Sequence, residues 1–254
     1  MHADRRQRDG AARHAHTTHV HKDIGISTGD REHMGSKERR HREKQRRRKS
    51  ILDTARDLLF KKGIDATTMN QIARNAELSV GTLYLYFKNK EDLYAALQEE
   101  GLDILFEKIK AVHEKELPPR EKLMEMALEY LDFSEKHRTY YEIINYFLAS
   151  PKVVFPVHLK ERIDEHGDRI LSLVEEVIKD LVDNGSLDER TLRRKSIFYW
   201  SNLHGMLQFR KLQSTILKGE PFREFYLSTV SCVLQTLGQS GPENPRKEKG
   251  HPGE

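Results

Sequence analysis

The sequence predicts an all-α protein, on three observations. Apolar residues recur at three- and four-residue spacing through most of the chain, the period of an amphipathic helix. Only 8 prolines punctuate 254 residues, several of them near the C-terminus, so long stretches lack any turn signal. No segment keeps the apolar–polar alternation of a strand. The length suffices for one large or two ordinary domains with a real core. A hydrophobic content of 37% beside a charged content of 33% suits helices with wide solvated faces and polar ends.

The elements follow in order. Residues 1–36 are rich in Arg, Asp, Gly, Thr and His without apolar period and read as disordered. His14, His16, His19 and His21 lie there. With no cysteine or carboxylate framework beside them they read as a polar leader rather than a metal site, although imidazole is a common ligand. Met34 offers a second translational start, which would make residues 1–33 an upstream extension. A first helix over about 46–62 carries Ile51, Ala55, Leu58 and Leu59 and stops at Gly63, a left-handed C-terminal residue. A second, over about 68–76, opens on a capping box, Thr68 with Gln71. A third, over about 79–87, is capped by Ser79, whose hydroxyl can accept from the N–H of Gly81 or Thr82. It is too short to be stable alone. The three helices should share a core that includes Ile51, Leu59, Ile72, Leu83 and Phe87 and holds the third in place. A fourth helix starts at Asn89, has Asp92 as its third residue and runs to about Lys115, ending before Pro118 and Pro119. Further helices follow over 120–136, 138–149, from Pro156 to about Asn184, 190–213, and from Pro221 to 237. The tail from Gly238 reads as disordered.

Charge is unevenly placed. Between Lys37 and Lys49 nine basic residues meet two acidic ones, a net of +7 in a chain of +4, so the remainder is acidic by 3. Such a run is either a plain solvated segment or an arm that binds nucleic acid. It stands directly before the short capped helix pair. There the third helix has small and hydroxylated residues at its start (Ser79, Gly81, Thr82) and aromatics at its end (Tyr84, Tyr86, Phe87). A small-residue start lets a helix sit close to another surface, as the second helix of a helix-turn-helix must in the major groove.

These residues resemble the DNA-binding domain of the TetR family of transcriptional regulators. The likeness rests on Thr67-Thr68, Ile72-Ala73, Ser79, Gly81-Thr82, and the run from Leu83 through Lys90 followed by Glu91-Asp92-Leu93. It covers roughly residues 50–97. It implies an N-terminal three-helix DNA-binding domain with a C-terminal helical ligand-binding and dimerisation domain. The expected division is a disordered basic extension over 1–45, the helix-turn-helix domain over 46–97, the helical body over 98–237 and a tail over 238–254.

DNA-contact candidates follow from position. Ser79, Val80, Gly81 and Thr82 occupy the first turn that can face base edges. Val80, where many family members carry a basic residue, cannot make a bidentate contact to guanine and is expected to meet a thymine methyl or simply cover the helix flank. Tyr84, Tyr86 and Lys90 are phosphate candidates, with Thr67 or Thr68 adding a hydroxyl or N–H. Arg47 and Arg48 would track phosphate or enter the minor groove. Arg56 and Arg74 read as ordinary surface charges. Glu77 replaces the turn glycine common in the family; if its φ is positive it costs about 1 kcal/mol.

The resemblance further implies a homodimer that binds a palindromic operator in double-stranded DNA, with residues 190–213 and 221–237 contributing to a four-helix bundle. Tyr130, Phe133, Tyr141, Phe147, Phe155, Trp200 and His204 would line an apolar pocket for a small, largely apolar ligand; without the family they read as core. A dimeric DNA-binding protein with no small-molecule effector is the alternative. A non-specific basic binder is a further rival. No nucleophile elbow, phosphate loop or metal-ligand spacing points to an enzyme, and no cofactor or metal is expected. One cysteine, Cys232, and no apolar run of membrane length suggest a reducing cytoplasmic setting with no membrane partner.

Overall fold

The computed structural model describes residues 28–149, 155–182 and 187–238, with side chains from Lys37 onward. Every regular element among them is helical. The histidines at 14–21 and the tail beyond Gly238 lie outside the described residues. The chain divides into two compact units, residues 1–46 and 47–254.

Helix α1 spans Thr28–Lys62 and so crosses from one unit into the other. The composition predicts a helix only from about Arg46, with the residues before it disordered. The structure starts the helix at Thr28: two glycines, Gly29 and Gly35, weaken its beginning, but there is no proline, and the Arg, Lys, Glu and Gln residues from Lys37 onward favour it. Residues 37–47 are exposed throughout.

In the second unit, α1 ends at Gly63, which has φ 81° and donates its N–H to Leu59 O at 2.8 Å. Helix α2, Met69–Asn75, has the anticipated capping box, with Thr68 Oγ1 accepting from Gln71 N and Gln71 Oε1 accepting from Thr68 N. Helix α3, Val80–Tyr84, is shorter than expected, since the chain turns at Leu85 before Phe87 enters the core. Helix α4, Lys90–His113, is capped by Asn89 Oδ1, 2.7 Å from Asp92 N, while Asp92 Oδ2 accepts from Lys88 N at 3.1 Å. Ile51, Ala55, Leu59, Ile72, Ala73, Leu83 and Phe87 are fully or almost fully buried together, as their spacing predicts.

The rest is a helical body: α5 (Pro119–Lys136), α6 (Arg138–Ala149), α7 (Val157–Val182), α8 (Glu189–Phe209) and α9 (Phe222–Leu237), with a 3-10 turn at Arg210–Leu212. Helix α4 packs on α5, α6 and most extensively α7, while α5 also meets α8 and α9. Proline at the N1 position starts α5, and Asp188 caps α8 through Thr191 N at 2.8 Å. Tyr226 on α9 donates to Ala127 O at 2.9 Å, and Tyr199 on α8 donates to Leu123 O, so two buried phenols tie outer helices to α5. Burial raises both phenol pKa values well above their ordinary range.

Candidate nucleic-acid interface and ligand cavity

The first turn of α3 is built to be seen from outside. Val80, Gly81 and Tyr84 are exposed while Leu83, on the opposite side, is fully buried. Ser79 Oγ accepts from Thr82 N at 3.0 Å and lies 2.8 Å from Thr82 Oγ1. Whichever hydroxyl donates in that pair, one hydroxyl hydrogen remains for a partner. A Cβ at Gly81 would meet only Ser79 Oγ, at 3.9 Å, so packing within the chain does not require this glycine. A close approach from outside would.

The other DNA candidates divide. Thr68 and Arg47 are exposed, and Tyr86, just past α3, is half-buried against the core. Thr67 is corrected: it is fully buried, and its hydroxyl donates to Gly63 O at 2.8 Å, closing the loop before α2. It has no hydroxyl to offer a phosphate. Lys90 donates to Ile64 O at 3.1 Å and lies 5.2 Å from the Tyr94 ring centroid, and Tyr94 donates to the same carbonyl at 3.1 Å. One of its three donors is therefore committed to the loop after α1. Arg48 lies 5.0 Å from the centroid of Phe87, so its guanidinium braces the end of the helix pair. Glu77 does have φ 55°, the strained backbone anticipated for a non-glycine there.

A joint unseen in the sequence ties α1 to the body. Arg56 Nη1 donates to the Tyr140 hydroxyl at 2.7 Å, and that hydroxyl donates to Glu100 Oε2 at 2.7 Å. Asp53 holds the other side of Arg56 at 2.8 Å. Burial, with the Glu100 carboxylate beside it, pushes the Tyr140 pKa up to about 12, so the phenol keeps its proton and can donate. The helices come this close because residue 101 is glycine: a Cβ there would stand 2.9 Å from Tyr140 Cβ. Partners 84 residues apart leave no local pattern, and Arg56 had read as a plain surface charge.

The next residue, Tyr141, faces elsewhere. It lines an almost wholly apolar cavity of about 110 Å³, along with Leu105, Tyr130, Phe133, Ile170 and Trp200. Four of the seven pocket candidates thus meet at one cavity. His204 stands beside it, its Nδ1 2.7 Å from the Tyr130 hydroxyl and its ring stacked on Trp200 at 5.0 Å between centroids. Burial lowers the His204 pKa, which favours the neutral imidazole, and the tautomer sets which of the two groups donates in this bond. Phe147 and Phe155 are elsewhere: they pack on each other at 4.4 Å, and Phe147 meets Tyr94 at 6.0 Å. Phe147 sits on α6 against α4, and Phe155, just before α7, packs on it there, away from the cavity. Among the described residues no group of His, Cys, Asp and Glu could hold a metal ion, and no helix is long and apolar enough to cross a membrane.

A three-helix head with an exposed α3 on an all-helical body containing an apolar cavity defines a helix-turn-helix transcriptional regulator. The family model described as bacterial regulatory proteins of the tetR family matches residues 51–97, and that of the tetracyclin repressor-like C-terminal domain matches residues 123–225. Together these take in more than half of the chain, which belongs to the TetR family. The HTH-type transcriptional regulator YhgD of Bacillus subtilis is 28% identical over 141 residues, 56% of this chain and 72% of that protein. The fatty acid metabolism regulator protein of the same organism is 24% identical over 160 residues, 61% of this chain and 80% of that one. Among solved structures, the transcriptional regulator FadR from Bacillus subtilis in complex with stearoyl-CoA superposes with a TM-score of 0.57 at 19% identity, covering 75% of this chain and 98% of that chain. At that identity the likeness is one of fold.

Proposed function

We propose that this regulator is a cytoplasmic dimeric repressor that holds a palindromic operator and is released from it by a small, largely apolar ligand. The DNA half rests on the first turn of α3, exposed on one side and fixed by core on the other; the basic residues between Lys37 and Lys49 supply non-specific attraction. Ser79, Val80, Gly81 and Thr82 read the base edges; Thr68, Tyr84, Tyr86 and Arg47 position the backbone; Lys90 and Arg48 hold the head rigid and lend charge.

Dimerisation is supported by the outer face of α8 and the turn after it. Phe198 is 39% exposed, Phe209 41% and Leu212 37%, at helical spacing. Gly205 lies between them, and a Cβ there would have no neighbour within 4 Å. A second copy covers that stripe, and the two-fold axis doubles the number of base pairs read.

Release is supported by the adjacency of Tyr140 and Tyr141 on α6: one bonds to α1 and α4, the other walls the cavity. An occupant that displaces Tyr141 moves α6 and pulls on the Arg56–Tyr140–Glu100 joint. It must bind the released form more tightly than the DNA-bound one, since equal affinity shifts nothing.

Selection from randomised duplex DNA tests the reading. It should return an inverted repeat bound by the dimer, with affinity falling steeply as salt rises and at least about 10³-fold above that for random duplex. Equal affinity for selected and random DNA would reduce the protein to a basic binder, and a monomer in sedimentation at micromolar concentration would remove the dimer.

A further inference from the structure

A second cavity adjoins the first. A cleft of about 570 Å³ opens between the end of α5, α6 and the end of α8, and Tyr141 lines both it and the apolar cavity. The cleft is charged. Arg138, Arg210 and Lys211 face it together with Glu135 and Glu142. Arg138 pairs with Glu142 at 2.7 Å, and Arg210 reaches Glu135 at 3.4 Å and Ser134 Oγ at 2.9 Å. Lys211 has no ionic partner among the described residues, so the cleft keeps one surplus positive charge. At the boundary, Gln208 Nε2 donates to the Tyr141 hydroxyl at 3.1 Å and to Asn145 Oδ1 at 2.8 Å. The Tyr141 oxygen therefore accepts from Gln208 at the boundary between cavity and cleft.

We propose that cavity and cleft are two halves of one site for an amphiphile, with a straight hydrocarbon chain in the cavity and a singly placed anionic group in the cleft, divided by Tyr141. This deepens, and rests on, the reading of the cavity as an effector site. The chemistry on each side of Tyr141 differs too sharply for a purely apolar occupant: apolar walls within, and outside them charged and amide side chains with a surplus cation. The cavity as it stands holds about four methylene groups, if each takes roughly the volume of a liquid water. A longer chain needs room, and the wall that can yield is the one facing the open cleft, the Tyr141 side. That is also the side attached, one residue away, to the Tyr140 joint, so chain length and release of DNA become linked. An anion can stand beyond such a chain from two sources, a free carboxylate at the chain end or the phosphates of a carrier joined to it through a neutral thioester.

Trp200 is the chain's single tryptophan and lines the cavity, so its fluorescence reports occupancy directly. The full-length protein is titrated with decanoate, decanoyl-CoA and decanol, and each is then tested for its effect on operator affinity. Two variants accompany the wild type. Lys211→Glu reverses the surplus charge at an exposed position. Gly167→Leu fills the cavity from α7, where a Cβ meets nothing within 4 Å and leucine favours the helix, so the variant folds. At least one anionic probe should saturate the Trp200 signal and decanol should bind far more weakly. Lys211→Glu should weaken the anionic probes about fivefold and leave decanol unchanged. Gly167→Leu should abolish binding of all three, and affinity should rise about fourfold for each methylene added to a shorter chain, the equivalent of about 0.8 kcal/mol. A tighter free acid assigns the carboxylate as the head, and a tighter thioester assigns the carrier. Equal binding of decanol and decanoate, untouched by Lys211→Glu, would overturn the role of the cleft; no Trp200 response from any chain would overturn the site itself. A saturating probe that leaves operator affinity unchanged would instead overturn release by effector while the amphiphile site stands.

Discussion

At the scale of single residues, Glu77 carries the clearest local cost. A side chain with φ 55° crowds its own carbonyl, and this one also places a carboxylate in the turn of a DNA-binding head. Glu77→Gly should stabilise the protein by about 0.5–1 kcal/mol in urea unfolding, after allowance for the extra freedom glycine gives the unfolded chain. It should also tighten operator binding modestly, measured by anisotropy at fixed salt. A loss of stability would mean that the carboxylate makes an interaction worth more than the strain. This position was legible because turn geometry is local: Ala76-Glu77-Leu78 sits where glycine is the easy choice. Thr67 was not legible. Two adjacent threonines look alike in sequence, and only the fold decides that Thr68 caps α2 from the surface while Thr67 turns inward to Gly63.

At the scale of elements, caps and periodicity carried most of the outline, because both act within a few residues. Asn89, Ser79, Thr68, Asp188 and Gly63 each end or begin a helix as their chemistry demands. Side-chain ties between helices are another matter. The Arg56–Tyr140–Glu100 joint joins three helices through one hydroxyl, and neither charge nor spacing announces it. Tyr140→Phe removes that hydroxyl, leaves the ring in place, and should uncouple sensing from DNA binding. Ligand titration followed by Trp200 should be nearly unchanged, while the drop in operator affinity on adding ligand should shrink several-fold. An undiminished response in this variant would show that α6 acts on the head by another route, such as the bond from Tyr146 to Asp65 at 3.0 Å. The cavity was half legible for a related reason. Aromatic residues cluster in the sequence from Tyr130 onward, but the helical turn sends Phe147 to one seam and Tyr141 to another.

At the scale of the whole molecule, the histidines give the fold a pH limit. Burial lowers the pKa of His204, and burial followed by the neighbouring Lys108 and Lys136 lowers that of His137. Above the ordinary histidine value of about 6.5 both rings are neutral folded and unfolded alike, and stability does not depend on them. Below it the unfolded chain takes up protons that the native state resists, so stability falls as pH drops through 6.5. Urea unfolding between pH 8 and 5 should show this decline, and it should be shallower in His204→Gln. A rise in stability on acidification would mean that these rings are held charged in the native state. His204 is stacked on Trp200 and bonded to Tyr130, so acid acts on the fold at a wall of the apolar cavity.

Gly101 has a mechanical meaning beyond packing. With no side chain there, the α4 backbone approaches Tyr140 of α6 more closely than any Cβ would allow. A rod with play absorbs the first part of any push, whereas one without it passes on even a displacement of a few tenths of an ångström. Under the proposed release by a ligand, the response would be set partly by an atom that is missing, a β-carbon at residue 101 that would hold α6 further from α4.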